Sequence, residues 1–146
     1  MNLSQKCQYA LRSLLELARR AGQGPVSVGE IASAQAIPPR FLELILGELK
    51  HAGFVESRRG IQGGYMLAVS PASLSVGDVI RLVDGPIAPV KCVGGRETDC
   101  PLYGNCAFLS LWERATTAVE DVYDSTNFQD LLDADRAAKK VVDYCI

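Results

Sequence analysis

PPRFLELILGELKHAGFVESRRGIQGGYMLAV, residues 38–69, decides how this chain folds. The Pro38-Pro39 pair suits the first turn of a helix, where a missing N–H costs nothing. Leu42, Ile45, Leu46 and Leu49 then recur at helical spacing and predict the buried stripe, leaving Arg40, Glu43, Gly47 and Lys50 outside. Gly53 is placed to take the left-handed conformation that ends a helix. Next come two short alternating runs, 54–57 and 65–69, which predict a pair of strands. Between them Arg58-Arg59-Gly60-Ile61-Gln62-Gly63-Gly64 forms a hairpin tip. Arginines at such a tip can donate to phosphates or enter a narrow, electronegative minor groove. Glycines let the backbone turn sharply and come close to a partner.

Upstream, residues 3–21 predict an amphipathic helix, with apolar Leu3, Cys7, Ala10, Leu14 and Leu17 on one face. Ser27 and Glu30 form an S-x-x-E capping box that starts a second, short helix. Three helices with a tight second-to-third connection describe a helix-turn-helix, and the hairpin after the third would be its wing. The third helix is then the recognition helix, whose N-terminal residues meet base edges. A three-helix bundle with a solvated hairpin and no nucleic acid would show the same periodicities.

Downstream, residues 74–83 predict a fourth helix, preceded by Pro71, capped by Ser75 with Asp78 and stopped by Asp84-Gly85-Pro86. The stretch DGPIAPVKCVGGRETDCPLYGNC, residues 84–106, follows. A long helix is expected from about Cys106 to Asp124, with Phe108, Leu111, Trp112, Ala115, Ala118, Val119 and Val122 in one wide stripe. In so small a chain, a two-fold homodimer is the simplest way to bury that stripe; packing on its own domain is the alternative. Residues 127–146 give only one or two weaker helices. The expected organisation is a mainly α, winged helix-turn-helix DNA-binding domain over 1–83 with a two-stranded β wing, a cysteine-bearing loop over 84–105, and a dimerisation helix and tail over 106–146.

The totals fit a globular chain: 146 residues, 48% hydrophobic and 22% charged. No apolar run approaches the ~20 residues that span a bilayer, and charges interrupt the N-terminus where a secretion signal would sit; a cytoplasmic protein with no membrane partner is expected. The net charge of −2 hides an asymmetry. Residues 1–65 carry eight Lys/Arg against five Asp/Glu, and residues 66–146 carry seven against twelve. An anionic partner therefore suits the first half.

Five cysteines without a secretion signal point to a metal site or reactive thiols rather than a disulfide framework. Three of them, Cys92, Cys100 and Cys106, share the 84–106 loop as C-x7-C-x5-C. Four-ligand zinc sites normally show C-x2–4-C pairs, which this loop lacks; free thiols are the third option. One histidine, His51, and no G-x-S-x-G leave little for hydrolytic chemistry, so no enzyme is expected.

The opening MNLSQKCQYALRSLLELA, the stretch IPPRFLELILGELKHAGFVESRRGIQGGYMLA, the helix LSVGDVIRLVDGP and the triple-cysteine loop together resemble the Rrf-type winged-helix transcription regulators. These include iron–sulfur regulators of the IscR, NsrR and RirA kind. The G-x-x-G-G-Y wing from Gly60 to Tyr65 is the most specific part of the likeness. The resemblance implies a homodimeric repressor that binds a palindromic promoter site on double-stranded DNA. It implies an iron–sulfur cluster, 2Fe–2S or 4Fe–4S, that senses iron supply, redox state or nitric oxide. Cys92, Cys100 and Cys106 match the ligand positions. The DNA-contacting positions fall on Pro39, Arg40, Phe41 and Glu43 of the third helix, and on Arg58, Arg59, Gly60, Gln62, Gly63 and Tyr65 of the wing.

The loop spacing is nearer the RirA-like pattern, and Ala107, Phe108 and Leu109 offer no histidine after the third cysteine. The fourth ligand is then sought at Cys7 or Gln8 of the partner subunit, Cys7 also being readable as a core residue. Two alternatives stay open: a cofactor-free regulator controlled by thiols or by a bound partner, and a small iron–sulfur electron-transfer protein.

Overall fold

The computed structural model describes residues 2–94 and 99–145, so residues 95–98 of the cysteine loop lie outside the described residues. Six α-helices and one two-stranded antiparallel sheet make up the described chain: α1 (Gln5–Arg19), α2 (Val28–Gln35), α3 (Pro39–His51), β1 (Val55–Arg58), β2 (Gly64–Leu67), a short 3-10 turn (Pro71–Ser73), α4 (Val76–Val83), α5 (Leu109–Ser125) and α6 (Phe128–Tyr144).

Local chemistry accounts for most boundaries. The Ser4 hydroxyl caps α1 by accepting the Cys7 N–H at 3.0 Å. Ser27 and Glu30 form the expected reciprocal box on α2, and Ser75 and Asp78 form the one on α4. Between α2 and α3, Ala36 takes a left-handed conformation (φ 50°, ψ 50°) and Ile37 plugs the core, which makes the helix-turn-helix corner tight. Gly53 follows α3 with φ 82°, as a left-handed cap requires.

One apolar core joins α1, α2, α3, β1 and α4, through Leu14, Leu17, Ile31, Leu42, Leu46, Leu49, Val55 and Val79. Phe128 and Leu132 of α6 belong to the same core. Of the one or two helices expected in the C-terminal segment there is one, of 17 residues, and it returns onto the winged helix. Its start carries a third reciprocal box, Asn127 with Asp130. A smaller apolar cluster of Cys7, Ile80 and Ile87 seals α1, α4 and the root of the cysteine loop, with Val119 and Tyr123 of α5 against it.

The second boundary that departs from expectation is that of α5. It begins at Leu109, with Phe108 as N-cap, and the Cys106 carbonyl accepts the Leu109 N–H at 3.2 Å. Cys106 therefore stands in the turn ahead of the helix and does not open it. At its other end α5 is clamped to α4. Arg81 makes a forked pair with Asp124 (2.7 and 2.8 Å) and reaches Glu120 at 3.3 Å. A side chain on Gly77 would collide with the Asp124 carboxylate, so the absent Cβ admits α5 here.

Candidate nucleic-acid interface and cysteine loop

The wing is a hairpin in the register Val55↔Leu67, Glu56↔Met66, Ser57↔Tyr65, Arg58↔Gly64. At its tip the Gly63 N–H donates to the Gly60 carbonyl at 3.0 Å, and Gly60 has φ 113°. Ile61, fully exposed, and exposed Gln62 are thereby lifted to the apex beside exposed Arg58 and Arg59. The glycines divide the work. Gly60 makes the turn. A Cβ on Gly63 would strike the Arg58 carbonyl oxygen, and one on Gly64 would strike the Val26 carbonyl oxygen. The last two therefore serve the chain's own packing.

Tyr65 explains the second of these close approaches. Its N–H donates to the Val26 carbonyl and its carbonyl accepts the Val26 N–H, both at 2.8 Å. The wing is thus bolted to the α1–α2 connection, and the Tyr65 side chain packs half-buried on the core. Lys50 at the end of α3 donates to the Ser57 hydroxyl at 2.7 Å and fixes the wing to the recognition helix.

On α3, Pro39, Arg40, Phe41 and Glu43 are all exposed in the first turns. The face opposite the core also carries Leu44, an apolar side chain in solvent that its periodicity did not flag. Glu48 is paired with Lys6 of α1 at 2.7 Å, which leaves one fewer unpaired carboxylate on this face.

The cysteines are dispersed. Cys92 and Cys106 are half-buried, Cys100 and Cys145 exposed, and none is in a disulfide. Among the described residues no group of three or more His, Cys, Asp or Glu side chains is drawn together as a metal site. Within the loop, Cys100–Asn105 forms two successive turns, Tyr103 N–H to Cys100 carbonyl and Asn105 N–H to Leu102 carbonyl, both 2.9 Å. Cys7 has no exposed surface. Burial, and then the neighbouring Asp84 carboxylate, pushes its thiol up to about 11, which disfavours a thiolate. Gln8 is exposed, its amide donating to the Leu3 carbonyl at 3.2 Å.

The root of the loop is held by side-chain hydrogen bonds and by burial. Asp84 accepts the Ser4 backbone N–H at 2.8 Å and also the Ser4 hydroxyl. Ile87 is buried three residues on. The segment that carries the thiols therefore leaves the protein from the N-cap of α1.

Residues 3–134 match the Rrf2 family profile, described as iron-dependent transcriptional regulators. The chain belongs to this family. Among its relatives is the transcriptional regulator CymR of Bacillus subtilis, 38% identical over 131 residues, 90% of this chain and 89% of that protein. The solved structure of CymR, described as the global cysteine regulator of B. subtilis, covers 90% of this chain and 95% of its own at 37% identity and a TM-score of 0.76. The structure of T. potens IscR covers 94% and 90% at 33% identity and a TM-score of 0.77. The Rrf2 winged helix is thus the fold, and DNA-binding transcription regulation the activity, as the sequence resemblance implied. These relatives are transcription regulators. No helix among the described residues is long and apolar enough to cross a membrane.

Proposed function

We propose that this chain is a cytoplasmic, homodimeric Rrf2 regulator whose affinity for a palindromic promoter site is set by an iron–sulfur cluster on Cys92, Cys100 and Cys106. The donor chemistry fits. Thiolates are the usual ligands of iron–sulfur clusters, three fall on one loop between α4 and α5, and the family is described as iron-dependent. A cluster bound there would supply redox and ligand-exchange chemistry. The chain's own residues supply the fourth position poorly: Cys7 lies in the core, and a neutral Gln8 amide is a weak donor for iron. A donor from the partner subunit or from solution would complete the set, and a weak fourth ligand would suit a sensor.

The observation that carries the proposal is the attachment of the thiol loop. Its root at Asp84 grips the α1 N-cap, and α1 in turn grips α3 through Lys6 and Glu48. Ordering of the loop therefore has a physical route to the recognition helix. The exposed α5 stripe, with Phe108 stacked on Trp112 (centroids 5.8 Å apart) and with Leu111 and Val122 in solvent, is the surface for the second copy.

Iron and sulfide assays on anaerobically purified protein test this directly. Visible absorption should be present in the native chain and absent after Cys92→Ala, Cys100→Ala or Cys106→Ala. A second reading, control by the thiols themselves, is favoured by the likeness to a cysteine regulator. It would be chosen by colourless protein whose DNA binding responds to oxidant.

A further inference from the structure

We infer that Leu44 is a specificity-determining residue that reads the C5-methyl group of a thymine in the major groove. With about 3.6 residues per turn, the buried residues Leu42, Ile45, Leu46 and Leu49 define one side of α3. The line opposite them is Arg40, Leu44, Gly47 and His51, all exposed. Leu44 occupies its centre, 68% exposed, where Leu42 is 0% and Ile45 3%. It forms a ridge between two shallow grooves, one floored by Tyr9 and Phe41, the other by Gly47 and Leu82. Nothing among the described residues covers it.

In a DNA-binding Rrf2 protein with α3 as recognition helix, this ridge is the part of the helix that faces base edges. Leucine neither donates nor accepts a hydrogen bond. The thymine methyl is the apolar group that a base presents to a side chain in the major groove, and apolar contact with it is an established mode of readout. Opposite a guanine or adenine edge, the same leucine would leave base acceptors without partners, which costs free energy. Gly47, one turn on, has open space where its Cβ would be, so the helix can sit close to the bases. Arg40, one turn back, can pair with a guanine edge, and the basic wing tip holds the complex to the phosphates. A guanine beside a thymine in each half-site is the expected consequence. A protein partner on this ridge is the competing occupant, but Arg40 on the same line of α3 suits DNA, and the dimer has its own stripe on α5.

The test uses the full-length protein and a duplex enriched from a random-sequence pool by that protein. Each thymine in turn is replaced by uracil, which removes the methyl group alone. One position per half-site should weaken binding of the native chain by about threefold to tenfold, the worth of one buried methyl. The same replacement should leave binding of the Leu44→Ala variant unchanged. Because Leu44 is exposed, that variant keeps its fold, checked by its thermal midpoint. Equal binding of every uracil duplex by the native chain overturns the inference, as does full uracil sensitivity in Leu44→Ala. If Arg40→Ala also leaves binding untouched, the assignment of α3 as recognition helix falls with it; if Arg40→Ala weakens binding, only the thymine contact is lost.

Discussion

Asp84 and Ser4, 80 positions apart, are joined twice: one carboxylate oxygen accepts the Ser4 N–H at 2.8 Å and the other accepts its hydroxyl. Ser4 is also the N-cap of α1, so a single side chain links the exit of α4, the start of the thiol loop and the first turn of α1. Asp84→Asn weakens both bonds. It should lower stability by about 1 kcal/mol, in the range of one exposed charge-assisted hydrogen bond. It should also shrink the difference in DNA affinity between loaded and cluster-free protein. Urea midpoints and gel shifts on both forms measure the two effects. An unaltered affinity difference would show that the signal takes another route.

Glu16 predicts an acid-sensitive hub. Its carboxylate is buried in α1 and accepts bonds from Gln35 (2.9 Å), Arg19 (3.2 Å) and Arg20 (3.0 Å). Burial alone would raise its pKa, but those three donors outweigh burial and hold it below the ordinary 4.5. A carboxylate depressed in the native state stabilises the fold fully above its unfolded pKa, and that contribution is lost as pH falls through the native value. Stability should therefore be level in this respect above about pH 5 and fall below about pH 4.5. Glu16→Gln should flatten that limb in urea titrations, and Glu16→Ala should cost about 1 kcal/mol at neutral pH by removing three hydrogen bonds, with Arg19 left to Asp135 and Arg20 to Glu30.

Ala36 holds the corner of the helix-turn-helix in the left-handed region, which disfavours any residue with a Cβ. Ala36→Gly should raise the unfolding free energy by up to about 1 kcal/mol, read as a higher midpoint with the same urea slope. A loss of stability would mean that the methyl group packs usefully.

Thiol accessibility separates the core cysteine from the others. In the cluster-free protein Cys100 and Cys145, both exposed, should react with iodoacetamide at neutral pH, whereas Cys7 should stay unlabelled until the protein unfolds. Mass spectrometry of the native digest gives the answer. Rapid native labelling of Cys7 would reopen it as a ligand.

On the DNA side, Arg59→Ala should weaken binding to all duplexes and reduce the salt slope by about one unit. Glu43→Ala should instead relax sequence preference, because a carboxylate in the groove is favourable only when it accepts from cytosine. Salt titrations on matched and mismatched duplexes distinguish the two.

Local signals carried most of this fold. The capping boxes at Ser27 and Ser75 and the stripe from Leu42 to Leu49 act within a few residues, so they can be read in the sequence. What escaped depends on distant neighbours. Glu16 looks like a solvated helix residue until Arg20, Arg19 and Gln35 converge on it. Gly64 looks like a turn glycine until Val26 arrives beside it. Leu44 was overlooked because an apolar residue next to a buried stripe reads as part of it. The Asn127–Asp130 box was legible, and it would have announced α6 as one helix. The apolar period runs back to Phe108 and so suggests a helix start near Cys106, yet Phe108 serves as the cap.

The most direct measurement is the affinity of one promoter duplex for the cluster-loaded and cluster-free protein, prepared anaerobically and compared by gel shift at fixed salt. The expected result is a difference of at least about tenfold, or about 1.4 kcal/mol, which disappears when Cys92, Cys100 or Cys106 is replaced by Ala. Equal affinity of the two forms, or a protein that holds no iron and sulfide under these conditions, would contradict control by a cluster.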